Sequence, residues 1–98
     1  MSITALLELN FSSEVLDQAR DVMRRVLDET RNFEGCNGIE VLVDVDNKTR
    51  WTIVERWESE EHDQTYREFR SGTGKITELG PLLTAPPQLT KFTTDESL

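Results

Sequence analysis

Residues 34–59 read EGCNGIEVLVDVDNKTRWTIVERWES. Within them Ile39, Val41, Val43 and Val45 recur at every second position, and Leu42 makes part of the opposite face apolar. Trp51, Ile53, Glu55 and Trp57 repeat the pattern, with Thr52, Val54 and Arg56 on the other side. A period of two marks a strand, because successive side chains leave a pleated backbone on opposite faces. Asp46-Asn47-Lys48 lies between the two runs and predicts a tight turn, in which Asn47 can take a positive φ. The stretch therefore predicts an antiparallel hairpin. Gly35 and Gly38 punctuate its start, and Ser59 at its end predicts the cap of a helix.

Upstream, Ile3, Ala5, Leu7, Leu9 and Phe11 share one face of a first strand, and Thr4, Leu6, Glu8 and Asn10 share the other. Ser12 or Ser13 is placed to cap the helix that follows, with Glu14 near the positive end of its dipole. From Glu14 to about Phe33, Val15, Leu16, Ala19, Val22, Met23, Val26 and Leu27 form one apolar stripe. The opposite face offers Asp21/Arg25, Arg24/Asp28 and Arg25/Glu29 as i,i+4 ion pairs. Downstream of Ser59, His62, Tyr66 and Phe69 recur at helical spacing until Gly72 and Gly74 break the element. Ile76, Leu79, Leu82 and Leu83 predict a further short helix, interrupted at Gly80-Pro81 and stopped by Pro86-Pro87. Gln88 to Thr94 alternates weakly as a closing strand, with Leu89 on one side and Phe92 on the other. The tail from Asp95 to Leu98 is expected to be loose.

The resulting order, β-α-β-β-α-(α)-β, is an α+β, ferredoxin-like βαββαβ arrangement with an antiparallel sheet and helices on one face. Residues 1–98 make one domain. The second and third strands are apolar on much of both faces. One set of side chains can pack on the helices, whereas the other needs a partner, and a second copy of the sheet would supply it. A homodimer is the expected assembly.

The formal charge of −8 argues against nucleic acid, since phosphate binding requires a basic stripe that releases counterions. It argues equally against anionic membrane surfaces. No apolar run approaches the ~20 residues that span a bilayer, and the start MSITALLELNF lacks the basic region of a signal peptide. The single Cys36 cannot form an internal disulfide, which fits a reducing, cytoplasmic setting. One histidine without paired Cys or His spacing provides no transition-metal site, and no carboxylates are spaced as a calcium loop. Neither a metal nor a bound cofactor is expected. No GxGxxG, phosphate loop or recognisable nucleophile motif occurs.

Candidate site residues therefore come from the second helix and the third strand. His62, with an ordinary pKa near ~6.5, is the natural general base at neutral pH, although a histidine three positions past a cap equally covers a helix start. Tyr66 offers a phenol to a substrate oxygen or serves as a core residue with a satisfied hydroxyl. Trp57, Phe69 and Trp51 can wall a pocket or simply fill core. Glu55, between the two tryptophans, is either a buried carboxylate or the partner of an arginine such as Arg56 or Arg67. Asn10 could present an amide into a pocket from the end of the first strand, and turn chemistry explains it as well. Cys36, at a strand start with only Arg31 as a cationic neighbour, is expected to be an inert thiol.

Arg31, Gly35, Cys36, Glu55, Trp57 and Ser59 together resemble a motif of the antibiotic biosynthesis monooxygenase family: Arg-x-x-x-Gly-Cys, two strands, then Glu-x-Trp-x-Ser. Leu82-Leu83 and Pro86-Pro87 look like that family's link to its last strand. The resemblance implies a ferredoxin-like subunit, two of which pack their sheets together as a dimeric α+β barrel, with pockets between sheet and helices. It also implies oxidation of a small electron-rich aromatic, a quinol or polyketide phenol, by O₂ without a cofactor. In such chemistry the substrate anion gives electrons directly to O₂ while the protein binds it, deprotonates it and excludes water. On that resemblance Trp57 falls on a pocket tryptophan, and His62 falls where quinol-oxidising members carry a histidine. A second family histidine is Tyr66 here, and a substrate-binding asparagine of the anthrone-oxidising branch is Ile53. The haem-degrading branch is not matched, since Tyr66 and Ile76 stand near its tryptophan and axial histidine. The expected function is thus a cofactor-independent monooxygenase with His62 as base, Tyr66 as hydrogen-bond donor, and Trp57, Phe69, Trp51 and Asn10 about the substrate. The alternative on the same scaffold is a small-molecule isomerase or a non-catalytic ligand-binding dimer.

Overall fold

The computed structural model describes residues 2–98. The alternating runs form four strands: β1 (Ile3–Asn10), β2 (Cys36–Asp44), β3 (Asn47–Trp57) and β4 (Gln88–Thr93). The two amphipathic stretches form α1 (Leu16–Arg31) and α2 (Glu60–Ser71). The sheet order is β2-β3-β1-β4, and each neighbouring pair is antiparallel. This is the ferredoxin-like α+β fold that the strand and helix order predicts.

Register settles which side chains share a face. Leu7 stands opposite Ile53 on one side and Leu89 on the other, while Leu6 stands opposite Val54 and Thr90. The Leu7 face is the one that both helices cover. Leu9, Phe11, Trp51 and Ile53 pack there against Ala19, Met23 and Leu27 of α1. Ile3, Ala5 and Trp57 pack against Tyr66 of α2, with Phe33 and Phe69 closing the cluster. Each fully buried aliphatic side chain of this kind contributes about 1.5–3 kcal/mol. The opposite face has no such cover. Leu42 is 52% exposed and Phe92 49% exposed on that side, consistent with the expectation that the second face lacks an internal partner.

Several local expectations are corrected. The hairpin turn falls on Val45-Asp46, and Asn47 opens β3 instead of taking a positive φ, which no described non-glycine residue does. Side chains flanking the turn stabilise it: Asp44 Oδ1 accepts from the Asp46 N–H at 2.9 Å, and Asn47 Oδ1 accepts from the Thr49 N–H at 3.1 Å. Ser12 precedes a single 3₁₀ turn at Ser13–Val15 that leads into α1, and its hydroxyl makes no capping bond. None of the three predicted i,i+4 pairs on α1 forms among the described residues; Arg24 reaches Asp21, and Arg25 reaches Glu78 at 2.6 Å. Such exposed pairs are interchangeable because each is worth little. The predicted helix around Ile76–Leu83 is reduced to one 3₁₀ turn, Gly80–Leu82. Pro81 has no N–H to continue it.

Candidate functional site

Ser59 caps α2 as expected, its Oγ accepting from the His62 N–H at 3.1 Å. That cap fixes the phase of the helix, so Asp63, Tyr66, Arg67 and Arg70 face the sheet and α1. A partly open cavity of about 140 Å³ lies between sheet and helices. Leu7, Met23, Leu27, Ile53, Ile76 and Leu79 give it an apolar lining, and Glu55, Tyr66, Arg67 and Arg70 supply its polar atoms.

The polar wall is a connected network. Arg70 donates from Nε to the Tyr66 hydroxyl at 2.7 Å, from Nη1 to Glu29 at 2.7 Å and to the Gly74 carbonyl at 3.0 Å. Its Nη2 reaches the Val26 carbonyl and Thr30 Oγ1. The Tyr66 oxygen lies 2.7 Å from Thr30 Oγ1, which in turn lies 2.9 Å from the Val26 carbonyl. An arginine and a carbonyl have fixed roles, donor and acceptor; with the Thr30 proton given to the Val26 carbonyl, the order is Arg70 to Tyr66, Tyr66 to Thr30 and Thr30 to Val26. The guanidinium groups of Arg67 and Arg70 each lie 5.1 Å from the Tyr66 ring centroid.

Glu55 is 2% exposed, and both of its protein donors, Trp57 Nε1 at 3.1 Å and Arg67 Nη2, converge on Oε1. Its other oxygen accepts from no group among the described residues. Arg67 also donates to the fully buried Asp63 at 3.1 Å, whose second oxygen meets the ammonium of Lys91 on β4. Two buried carboxylates and two cations thus compensate one another, which is what permits charge at this depth.

Of the residues singled out from the sequence, Tyr66 and Glu55 line this cavity, together with Arg67, one of the two arginines expected to pair with Glu55. Trp57 is fully buried beside it, its ring 4.8 Å from that of Tyr66. Phe69 packs behind Tyr66 against Phe33. Trp51 belongs to the other core cluster, its indole N–H donating to the Lys48 carbonyl at 2.9 Å. Asn10 ends β1, where its backbone carbonyl accepts from the Thr84 N–H at 2.8 Å.

His62 lies on a separate shallow surface pocket with Phe33, Glu34, Glu61 and Thr65. Its Nδ1 is 2.6 Å from Ser59 Oγ and its Nε2 is 3.8 Å from the Glu58 carboxylate. Because the serine oxygen already accepts the backbone N–H, its own proton is free to go to Nδ1. With that bond the ring carries a proton on Nε2, toward Glu58; in the other tautomer Nδ1 donates to the serine oxygen. Burial pushes the Cys36 thiol upward in pKa, a backbone contact to Gly38 opposing it more weakly.

Arg70, in the cavity wall, and Thr30, in its hydrogen-bond network, are the residues that the sequence reading does not mark. Glu55 shares strand parity with Ile53 and Trp57, and Thr30 continues the α1 stripe from Met23 and Val26. Arg70 follows Tyr66 by four positions. Among the described residues no group of three His, Cys, Asp or Glu could hold a metal ion, and no helix is long and apolar enough to cross a membrane.

Comparison with solved structures gives the same fold at low identity. A conserved protein from Methanosarcina mazei Go1 superposes with a TM-score of 0.86 at 16% identity, covering 97% of this chain and 94% of its own. Rv0793 from Mycobacterium tuberculosis gives 0.83 at 18% identity, with both chains fully covered. A mutant of SnoaB, a cofactor-independent oxygenase from Streptomyces nogalater, gives 0.83 at 14% identity, covering 99% of this chain and 96% of its own. Comparison with curated proteins returns no match. The sequence profile described as antibiotic biosynthesis monooxygenase matches residues 2–69, a span that carries β1 through most of α2, and with it the chain belongs to the antibiotic biosynthesis monooxygenase family.

Proposed function

We propose that this chain is a cofactor-independent monooxygenase that oxidises a single-ring quinol or phenol with O₂, working as a homodimer. The observation that supports the reading is the partly open, largely apolar cavity with a tyrosine hydroxyl, two guanidinium groups and one carboxylate in its wall. Apolar cavities of ~150 Å³ accept benzene, so this one suits one aromatic ring better than the three of an anthrone. Family membership favours oxygen chemistry, and SnoaB, a similar fold, is a cofactor-independent oxygenase.

In this reading the ring enters between Ile53 and Leu79. Its hydroxyl meets the open oxygen of Glu55, which takes the proton and so assumes the base role expected of His62. Arg67 and Arg70 stabilise the resulting oxyanion in a dry site, where a charge interaction exceeds its value in water. Tyr66, whose proton goes to Thr30, holds the Arg70 guanidinium beside the substrate oxygen instead of donating to that oxygen itself. The ring anion reduces O₂ and combines with it; one oxygen atom remains on the ring and the other leaves as water. A hydroquinone and O₂ thereby give a hydroxyquinone and water, with every electron drawn from the ring. His62 supports the start of α2, while Trp57 and Phe69 hold Tyr66 from behind.

The homodimer reading rests on the uncovered sheet face, where Leu42 and Phe92 stand half exposed beside two unpaired edge strands, β2 and β4. The test of function is oxygen uptake by metal-free protein over a panel of hydroquinones and anthrones. Uptake above autoxidation, lost in Glu55→Gln and reduced in Tyr66→Phe, is expected. No uptake across the panel by folded protein would overturn the oxygenase reading in favour of an isomerase or a ligand-binding dimer.

A further inference from the structure

A second concavity lies on the outer side of α1, between that helix and the edge strand β2. Its volume is about 250 Å³, and Arg20, Arg24, Arg31, Val41, Val43 and Trp51 line it. Met23 and Leu27 form its inner wall, the same two side chains that close the interior cavity from the other side. The lining carries three guanidinium groups and no carboxylate, in a chain whose formal charge is −8. Arg20 and Arg31 make no ion pair among the described residues, and Arg24 makes only the solvent-exposed contact to Asp21.

The aromatic wall is fixed. The Trp51 indole N–H is held by the Lys48 carbonyl at 2.9 Å, and the Phe11 ring packs on the indole edge-to-face, with centroids 4.6 Å apart. The Arg20 guanidinium lies over the indole, 5.5 Å from its centroid, which places a planar donor group beside the aromatic wall. Val41 and Val43 are more than a third exposed beside it. An apolar floor, an aromatic wall and three planar cations in the lining describe a receptor for a flat apolar body bearing a carboxylate. Asp17, Asp21, Asp28 and Glu29 along the same helix repel an extended polyanion. A compact ligand lies within a Debye length, ~8 Å, of the three arginines.

We infer that this groove is a binding site for a small aromatic carboxylate, separate from the interior cavity and independent of the oxygenase reading. The probe is 2-naphthoate, titrated into the uniformly ¹⁵N-labelled full chain. Saturable shifts are expected at the Trp51 indole N–H and at the amides of Arg20, Arg31, Val41 and Val43. Arg20→Gln and Arg31→Gln, both exposed substitutions, each weaken binding by about three- to tenfold. Added salt weakens it further, and the neutral analogue 2-naphthylmethanol binds more weakly than the acid. Equal binding of the neutral analogue, shifts centred instead on Tyr66, Ile76 and Leu79, or no saturable shift would each overturn the assignment.

Discussion

Arg70 Nε donates to the hydroxyl of Tyr66 at 2.7 Å from the next turn of α2, and because Thr30 gives its own proton to the Val26 carbonyl, the phenol proton goes to Thr30 on α1. The tyrosine that faces the cavity is therefore held by a donor on one side and an acceptor on the other. Tyr66→Phe removes both bonds and leaves the part-buried Arg70 Nε without an acceptor. A loss of about 1–2 kcal/mol in stability is expected, read by urea denaturation. Oxygen uptake with the best quinol is expected to fall about tenfold or more. Unchanged uptake in the folded variant would remove Tyr66 from the reaction.

The cavity wall and the His62 pocket make opposite predictions for two conservative changes. Glu55→Gln keeps the shape of the side chain and its bond to Trp57 while removing the base, so turnover is expected to drop by about 10²-fold or more. His62→Ala leaves the cavity wall intact and is expected to retain activity within about threefold, its cost falling on stability through the lost contact at the cap. The pair of pH–rate profiles separates them. Full activity in Glu55→Gln together with loss in His62→Ala would return the base role to the histidine.

The strand pattern was legible because burial alternates with register: Trp51, Ile53 and Trp57 are all buried, whereas Arg56 is exposed. The helix cap at Ser59 was legible for a similarly local reason, a hydroxyl three residues before an acceptor-seeking N–H. The site was not, because its polar members meet only in three dimensions. Glu55 and Arg67 are twelve positions apart, and Arg70 meets Thr30 across forty. A lone histidine attracts attention by chemistry alone, yet its place at the third residue past the cap sends its ring to the protein surface. Sequence spacing also says nothing about which arginine will take Glu55; parity left Arg56 and Arg67 as candidates, and the sheet turns Arg56 outward to Glu40.

Gly35 has φ +86°, and a methyl group built there would overlap the imidazole of His62. Both features act against any substituted residue: the left-handed backbone costs on the order of 1–2 kcal/mol, and the ring would also have to leave Ser59. Gly35→Ala is expected to destabilise the fold by about 2–4 kcal/mol. Adding His62→Ala should recover the steric part and leave the backbone part. Thermal or urea unfolding of the single and double variants reads this directly; strict additivity would show that the ring and the glycine do not interact.

Burial raises the pKa of the Cys36 thiol above its ordinary value, so the folded protein holds that proton more tightly than the unfolded chain. The associated stability is fully present below the unfolded thiol pKa and is lost as pH rises through the folded one. Alkylation by iodoacetamide in the native protein is accordingly expected to be slower than in the urea-unfolded chain at pH 8, because the thiolate is the nucleophile. Cys36→Ser is expected to lessen the alkaline loss of stability. Equal alkylation rates in the native and unfolded states would contradict both.

The uncovered sheet face carries the homodimer proposal, and charge placed there tests it without touching the cavity. Leu42 on β2 and Phe92 on β4 lie at opposite sides of that face, 52% and 49% exposed, with Leu6 and Val54 between them on the central strands. Burying a carboxylate against a second apolar sheet without a partner costs several kcal/mol, and a symmetric interface presents the change twice. Leu42→Asp and Phe92→Asp are each expected to shift the protein from dimer to monomer by light scattering at micromolar concentration. The far-UV spectrum should be retained, because neither side chain contributes to the buried core clusters. A dimer that persists in both variants would place the interface elsewhere.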